Sequence, residues 1–229
     1  MKPRDRLGTS PLLSRTGEGL TAGEFVAYSD FDLDDILADF GLAPRPGTLF
    51  ADAPPADVPA WLPAYLTKAE SLAFASEKSR SETVVMPVLL ALREVHAARP
   101  AVFSGLRLDG DASRGLNGVC DFILALTDAV LPLKSPVVTL VEAKQGDIEQ
   151  GIGQCVAQML GAQLFNARFG EGELPVYGCV TNADVWLFLR LEAGVLTQDR
   201  VRYSVGDLPR LLGVLVAVVN DVQRKRSAG

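Results

Sequence analysis

The spacing of apolar and polar residues along the chain predicts helices and strands in alternating groups. Apolar residues recur at helical spacing in residues 79–98 and in residues 147–168. Short β-branched or alternating runs bounded by turn residues are typical of strands. Because strands come in runs flanked by helices, we expect an α/β fold with a central mixed β-sheet. The predicted helices cover 31–40, 79–98, 147–168 and 207–225, and the predicted strands cover 101–108, 116–126, 136–144, 175–181, 184–192 and 195–204.

The same pattern divides the chain into three parts. Residues 1–19 are polar and rich in Gly, Ser, Thr and Arg, which favours a flexible tail. Residues 20–66 are predicted to be a helical and irregular appendage, because segment 43–63 is proline-rich and indicates irregular structure. Residues 67–229 are predicted to form the main domain.

Composition restricts the chemistry that this chain can perform. Its formal net charge is -6, whereas proteins that bind duplex nucleic acid tightly on their own are usually basic. The single histidine, His96, means that a metal site would consist of oxygen ligands, which favours Mg²⁺ or Mn²⁺. The N-terminus has no signal-peptide pattern, and the apolar run of residues 211–219 is too short to span a bilayer. We therefore expect a cytoplasmic protein with no membrane partner.

Charged residues at the end of an apolar strand provide the strongest chemical signal. The run PVVTLVEAK ends in Glu142 and Lys144, and alternate residues of a strand point to the same face. Burying either charge without a partner would be costly, so a metal ion and a phosphate ester would explain both. Asp121 interrupts another apolar strand, where aspartate is disfavoured. If the two strands pair, Asp121 and Glu142 can share one cation.

Helical residues on either side of these strands add to the pattern. Glu82 lies near the start of the first long helix, where its carboxylate can reach a metal directly or through water. Acids are favoured in a first helical turn in any case, and Glu77 is a rival for this role. Gln154 and Gln158 are four residues apart and share one face of the next helix. These amides can steer a phosphate or a water, although a solvated or inter-helix face is an equal alternative.

This order of residues resembles the PD-(D/E)XK phosphodiesterase superfamily over roughly residues 79–182. The strings RSETVVMPVLLAL, LNGVCDFIL and VTLVEAK carry the resemblance, which extends to nuclease domains of type I restriction motor subunits and to stand-alone bacterial relatives. Cys120 stands where the family has a proline. The resemblance implies a restriction-endonuclease-like core for the main domain. It implies Mg²⁺ or Mn²⁺ bound by Asp121, Glu142 and Glu82, Lys144 as the residue that positions the attacking water, and Gln154 as a substrate-orienting group.

Two functions remain open at this point. The first is a nuclease that hydrolyses nucleic acid, with DNA as the expected substrate, in restriction, defence or repair. The chain contains no GxxxxGK[ST] phosphate loop, so a motor or recognition module would come from a protein partner, and cutting both strands favours a homodimer. The second is an inactive nuclease fold that acts as a binding or scaffold subunit, which the acidic net charge favours. An α/β protein outside the superfamily would require a different strand order.

Several other residues have simpler interpretations. Pro87 should kink the first long helix or mark a short first segment. Trp61, Leu62 and Trp186 are predicted packing anchors, and His96 is predicted to be an exposed helical residue. The three cysteines are expected to be buried, reduced core residues, and Asp109 and Asp111 to be turn residues. The arginines that flank the candidate site in sequence are either phosphate contacts or solvated surface: Arg80, Arg107 and Arg114.

Overall fold

A central seven-stranded mixed sheet organises the protein, as seen in a computed structural model that describes residues 27–72, 76–127, 132–144 and 146–228. The strand order is β1-β7-β6-β5-β4-β3-β2. Strand β4 runs parallel to β5, and β1 runs parallel to β7, while the other neighbours are antiparallel. Since helices cover both faces, the predicted α/β fold with a mixed sheet is confirmed. The predicted tail at residues 1–19 lies outside the described residues.

The observed elements follow the predicted ones closely from residue 76 onward. The strands are β1 (Ala43–Gly47), β2 (Ala101–Asp111), β3 (Leu116–Ala125), β4 (Val137–Ala143), β5 (Val176–Thr181), β6 (Val185–Glu192) and β7 (Val195–Ser204). The α-helices are α1 (Leu33–Phe40), α2 (Trp61–Ala69), α3 (Glu77–Arg80), α4 (Met86–Val95), α5 (Ile152–Ala167) and α6 (Leu208–Ala228). A π-helical turn, Ser81–Val85, joins α3 to α4, and short 3₁₀ turns lie at Tyr28–Asp30, Ala112–Arg114 and Ile148–Gly151.

Two hydrophobic cores lie on opposite faces of the sheet. One core combines α2, α4 and α6 with residues such as Phe122, Val141 and Trp186. The other combines α1 and α5 with residues such as Cys120 and Leu140. We call these the α6 face and the α5 face. Trp186 is fully buried and the three cysteines are buried and unpaired, as predicted.

The segment before residue 67 is part of this architecture. Strand β1 pairs with β7, so the prediction that residues 43–63 are irregular was wrong at both ends of the segment. Prolines at the edge of a sheet are compatible with pairing on one side only, which explains how the sequence APRPG forms an edge strand. Phe50 and Leu62 enter the core of the α6 face, and Trp61 is half exposed and donates to Glu94.

Glycines in α5 allow the N-terminal residues to pack closely on the α5 face. A methyl group at Gly153 would lie 2.6 Å from the carbonyl oxygen of Phe31, and one at Gly161 would overlap the ring of Tyr28. Tyr28 and Ile36 are fully buried in the same core. Helix α5 is therefore covered by the sheet on one side and by residues 28–36 on the other.

Two further features of the helices differ from or refine the sequence interpretation. Pro87 occupies the first turn of α4, where proline needs no hydrogen-bond acceptor for its nitrogen, and the π turn precedes it. His96 was predicted to be exposed, but it is 5% exposed and ends α4. Its Nε2 lies 3.1 Å from Oδ1 of Asn220, so packing against α6 buries it. No helix among the described residues has the length and apolarity needed to cross a membrane.

Candidate functional site

Adjacent antiparallel strands bring Asp121 and Glu142 together. Phe122 pairs with Val141 in the β3–β4 ladder, so Asp121 and Glu142 occupy the next opposed positions. Oδ2 of Asp121 accepts a hydrogen bond of 2.9 Å from the backbone N–H of Ala143. The prediction that these two carboxylates lie on neighbouring strands is confirmed.

A change of face in β3 explains how a strand rich in apolar residues accommodates Asp121. Cys120 belongs to the core of the α5 face and Phe122 to the core of the α6 face, although regular alternation would put both on the same face. The opposed position in β2 is Gly105, whose φ of 63° is in the left-handed region that glycine tolerates. Asp121 thus lies at the point where the alternation of side chains between the two faces is interrupted in both β2 and β3. Strand periodicity alone did not reveal this feature.

Lys144 connects the buried carboxylate to helix α5. Its Nζ donates to Oε1 of Glu142 at 2.8 Å and to Oε1 of Gln154 at 2.9 Å. Gln158 donates from Nε2 to the other oxygen of Glu142 at 2.7 Å. Glu142 is only 2% exposed, and both of its oxygens are engaged. Of the five predicted site residues, the structure brings Asp121, Glu142, Lys144 and Gln154 into one cluster.

Gly151, which was not predicted from the sequence, and Gln158, for which the sequence left a functional and a solvated role open, both help to build this cluster. A methyl group at Gly151 would lie 2.7 Å from Cγ1 of Val180 and 3.0 Å from Cε of Lys144, so only glycine leaves room for the lysine stem. Gln158 is fully buried, which excludes the solvated face that its sequence position allowed. Its Oε1 is buried and has no hydrogen-bond partner among the described residues. The signal for the contact between Gly151 and Lys144 in the sequence is a glycine directly before the start of α5.

Burial and like charge raise the proton affinity of the cluster. Burial, followed by the charge of Asp121, raises the pKa of Glu142 from 4.5 to about 7, and Lys144 and Gln158 offset only part of this rise. Burial also raises the pKa of Asp121, against the hydrogen bond from Ala143. Burial alone would lower the pKa of Lys144, but the surrounding carboxylates, Glu142 first among them, together outweigh it and the pKa is raised. The cluster therefore holds a firmly protonated lysine beside a carboxylate that titrates near neutrality.

The remaining predicted acid lies at the rim of the cluster. The Glu82 side chain is 65% exposed and pairs with Lys78 at 3.8 Å. It lines a cleft of ≈ 380 Å³ together with Glu77, Asp121 and neighbouring residues. Glu77 also contributes to the raised pKa of Lys144, so this rival acid is electrostatically close to the cluster.

The three arginines near the site in sequence differ in their placement. Arg80 donates to the carbonyl oxygen of Asn182 at 3.3 Å and pairs with Asp184, which holds it just beyond the end of β5. Arg107 pairs with Asp109 on β2, and Arg114 stacks on the ring of Phe40. Asp109 lies within β2, so the prediction that it is a turn residue was wrong. Asp111 is the last residue of β2 and accepts from the N–H of Ser113 at the start of the turn that follows.

The donor set is suited to a cation that needs few protein ligands. No group of three His, Cys, Asp or Glu side chains among the described residues has the arrangement of a metal site, so the predicted trio of Asp121, Glu142 and Glu82 is not assembled. Magnesium is commonly bound by one or two carboxylates together with water and substrate phosphates. Asp121 and Glu142 repel one another in a buried position, and a divalent cation would relieve that repulsion. Two carboxylates are the type of ligand that Mg²⁺ and Mn²⁺ take.

The comparisons with known proteins identify no match, so a functional assignment rests on the residues of the candidate site. No model of a known protein family matches the chain, no curated protein matches it, and no solved structure matches it.

Proposed function

We propose that this protein is a metal-dependent phosphodiesterase that hydrolyses nucleic acid, with DNA as the expected substrate, on a restriction-endonuclease-like core. One observation carries the proposal: Lys144 is hydrogen-bonded to Glu142 and to Gln154 of the following helix, and Asp121 of the adjacent strand is held beside them by the backbone N–H of Ala143. Nothing in the packing of a stable α/β fold requires such a cluster. Buried ionisable groups with raised pKa values concentrate at functional sites.

The residues of the cluster would have distinct roles. Asp121 and Glu142 would hold Mg²⁺ or Mn²⁺, with Glu82 as an auxiliary acid at the rim. The bound cation would stabilise negative charge on a phosphodiester and acidify a water. Lys144 would place a fixed positive charge beside the phosphate, and its bond to Gln154 would orient it. Gln158, on α5, would hold the side chain of Glu142 in one rotamer.

A specific observation also favours a second function, that of a binding or scaffold subunit. Both oxygens of Glu142 already accept hydrogen bonds, from Lys144 and from Gln158, so a cation must compete with or rearrange these contacts. A net charge of -6 also weakens long-range attraction to nucleic acid. An inactive nuclease fold would retain the cluster as an ion pair alone.

Cleavage assays with a matched pair of lysine variants distinguish the two functions. Purified protein is incubated with single-stranded and duplex DNA in Mg²⁺, Mn²⁺ or EDTA, alongside Lys144→Ala and Lys134→Ala, the second being an exposed lysine. We expect metal-dependent cleavage by the wild type and by Lys134→Ala, and a rate lower by about 10² or more in Lys144→Ala, since electrostatic groups of this kind contribute that much. Absence of cleavage by the wild type, together with no Mg²⁺ binding in calorimetry, would instead support the scaffold.

A further inference from the structure

A cleft lined by three arginines lies at the same end of the strands as the candidate site. Strands β1 and β7 run in the same direction as β4, so their carboxyl ends lie at the end of the sheet where Glu142 and Lys144 lie. The cleft has a volume of ≈ 360 Å³, and its arginines are Arg45 of β1 with Arg200 and Arg202 of β7.

The register of the sheet connects this cleft to the candidate site. Glu142 pairs with Val180, Val180 pairs with Leu187, and Leu187 pairs with Arg202. Paired residues of neighbouring strands point to the same face, so Arg202 points to the α5 face, as Glu142 does. With about 4.8 Å between strands, the Cα atoms of Glu142 and Arg202 are about 14 Å apart.

A bulge in β7 turns Arg200 outward at this cleft. Gln198 and Arg202 pair with Leu189 and Leu187, so three residues of β7 oppose one residue of β6. Asp199 is buried in the bulge, where its two oxygens accept from the N–H of Val201 and from the hydroxyl of Tyr203, each at 3.1 Å. Bulges often redirect a side chain towards a ligand. Here the bulge leaves Arg200 exposed beside the other two arginines.

The bonding of the three arginines leaves donors for a ligand. Nε of Arg45 donates to Oγ1 of Thr197 at 3.2 Å, which fixes one side of its guanidinium. Arg202 pairs with Glu149, and both side chains are nearly half exposed. An anionic ligand can therefore replace Glu149 at little cost in free energy. Among the described residues no hydrogen bond or ion pair engages Arg200. Among the described residues that line the cleft, one carboxylate is present, that of Asp199, and both of its oxygens are already used, so the cleft favours an anion with several negative charges.

We propose that Arg45, Arg200 and Arg202 bind backbone phosphates of the nucleic-acid strand whose phosphodiester lies at Lys144. This inference rests on the proposed function and extends it to the length of the substrate. The Cα separation of about 14 Å between Glu142 and Arg202 corresponds to about four nucleotides of a stacked, helical strand, whose axial rise is roughly 3.4 Å per nucleotide. A local arginine cleft also provides phosphate contacts to a chain whose net charge is -6.

Binding measured without catalysis tests the arginine cleft separately from the nuclease. The probe is a fluorescent single-stranded DNA of about 20 nucleotides, titrated by anisotropy in EDTA at several salt concentrations from about 50 to 200 mM. The test variant is Arg200→Gln/Arg202→Gln, and the control is Arg224→Gln, an exposed arginine that pairs with Asp221 on α6. We expect the double variant to bind more weakly and to reduce the slope of log K against log salt by about 1.4, the value for two single-strand phosphate contacts. The control should leave the slope unchanged.

Hydrolysis of a small substrate separates the arginine-cleft proposal from the proposed nuclease activity. Bis(4-nitrophenyl) phosphate is too short to reach the arginine cleft, so the double variant should hydrolyse it at the wild-type rate in Mg²⁺ or Mn²⁺. If the wild type binds DNA through the arginines but hydrolyses nothing, the cleft is supported and the nuclease is not. Hydrolysis with unchanged DNA binding and salt slope in the double variant would overturn the cleft and leave the nuclease standing. Absence of DNA binding by the wild type would also overturn the cleft.

Discussion

Replacing Glu142 by glutamine should change how the stability of the fold depends on pH. Glu142 keeps its proton up to about pH 7 in the folded chain but loses it near its ordinary pKa of 4.5 when unfolded. Between these values the unfolded state has released a proton that the folded state retains. The free energy of unfolding therefore falls as pH rises through this interval, by about 1.4 kcal/mol for each pH unit between the two pKa values. The contribution of Glu142 to stability is complete below pH 4.5 and has decreased by about 3 kcal/mol above pH 7.

Glutamine is a suitable replacement because the site can bond it in the neutral form. Lys144 can still donate to an amide oxygen at position 142. The amide of Gln158 can rotate by 180°, so that its unpartnered Oε1 accepts from the new amide nitrogen. We therefore expect Glu142→Gln to behave like a permanently protonated glutamate.

Urea unfolding in EDTA between pH 4.5 and pH 8 measures the effect. The quantity of interest is the free energy of unfolding of the wild type minus that of Glu142→Gln, which should decrease by about 3 kcal/mol across this range. Glu82→Gln is the control, because it removes a carboxylate whose side chain is 65% exposed and leaves the buried Glu142 intact. A difference for Glu142→Gln that varies by less than about 0.5 kcal/mol would refute the reasoning from burial.

Three other variants test how the cluster is held. Gln158→Leu should weaken Mg²⁺ binding about 10–100-fold in calorimetry, because residues that orient a ligand typically contribute that much, and Mg²⁺ should then stabilise the fold less. Gly151→Ala should lower the rate of DNA cleavage at least about tenfold, because its methyl group would displace the stem of Lys144 and misplacement of a charged group is costly. Lys144→Ala should destabilise the fold more at pH 8 than at pH 5, by up to about 1.4 kcal/mol, because Lys144 favours the ionised form of Glu142, whose pKa is about 7; urea unfolding at both pH values measures this.

Matched positions provide the controls for these variants. Gln150→Leu removes an exposed glutamine just before α5 and should leave Mg²⁺ affinity unchanged. Gly146→Ala adds a methyl group where no atom lies within 4 Å, so cleavage should be unaffected. Equal losses in Gly146→Ala and Gly151→Ala would contradict the idea that the second glycine makes room for the lysine. An unchanged Mg²⁺ affinity in Gln158→Leu would show that Gln158 does not orient Glu142 for the cation.

The sequence predicted the strands and the adjacent charges because both depend on local patterns. Strand periodicity placed Glu142 and Lys144 on one face, and the apolar runs around Asp121 and Glu142 indicated paired strands. Burial of both faces by helices follows from the same runs. These predictions concern residues whose neighbours in sequence are also their neighbours in structure.

Features that depend on distant contacts were not predictable in this way. The strand at Ala43–Gly47 forms only because β7 offers a free edge, and its prolines indicated irregular structure. His96 looked exposed because its partner, Asn220, lies 124 residues away. The change of face at Asp121 requires Gly105 on another strand. Glu82 satisfied a helical pattern, but its distance from Glu142 depends on how α3 and the π turn lie over the sheet.

The arrangement around Glu142 is difficult to explain by stability alone. A buried amide oxygen without a partner typically costs about 1–3 kcal/mol, and Gln158 has one. The burial of Glu142 costs about 3 kcal/mol more above pH 7, as its raised pKa requires. An apolar pair at positions 142 and 158 would avoid both costs and pack equally well between β4 and α5. Costs of this kind persist where a charged group is needed at a fixed position, so the cluster itself argues for a ligand that interacts with Glu142 and Lys144.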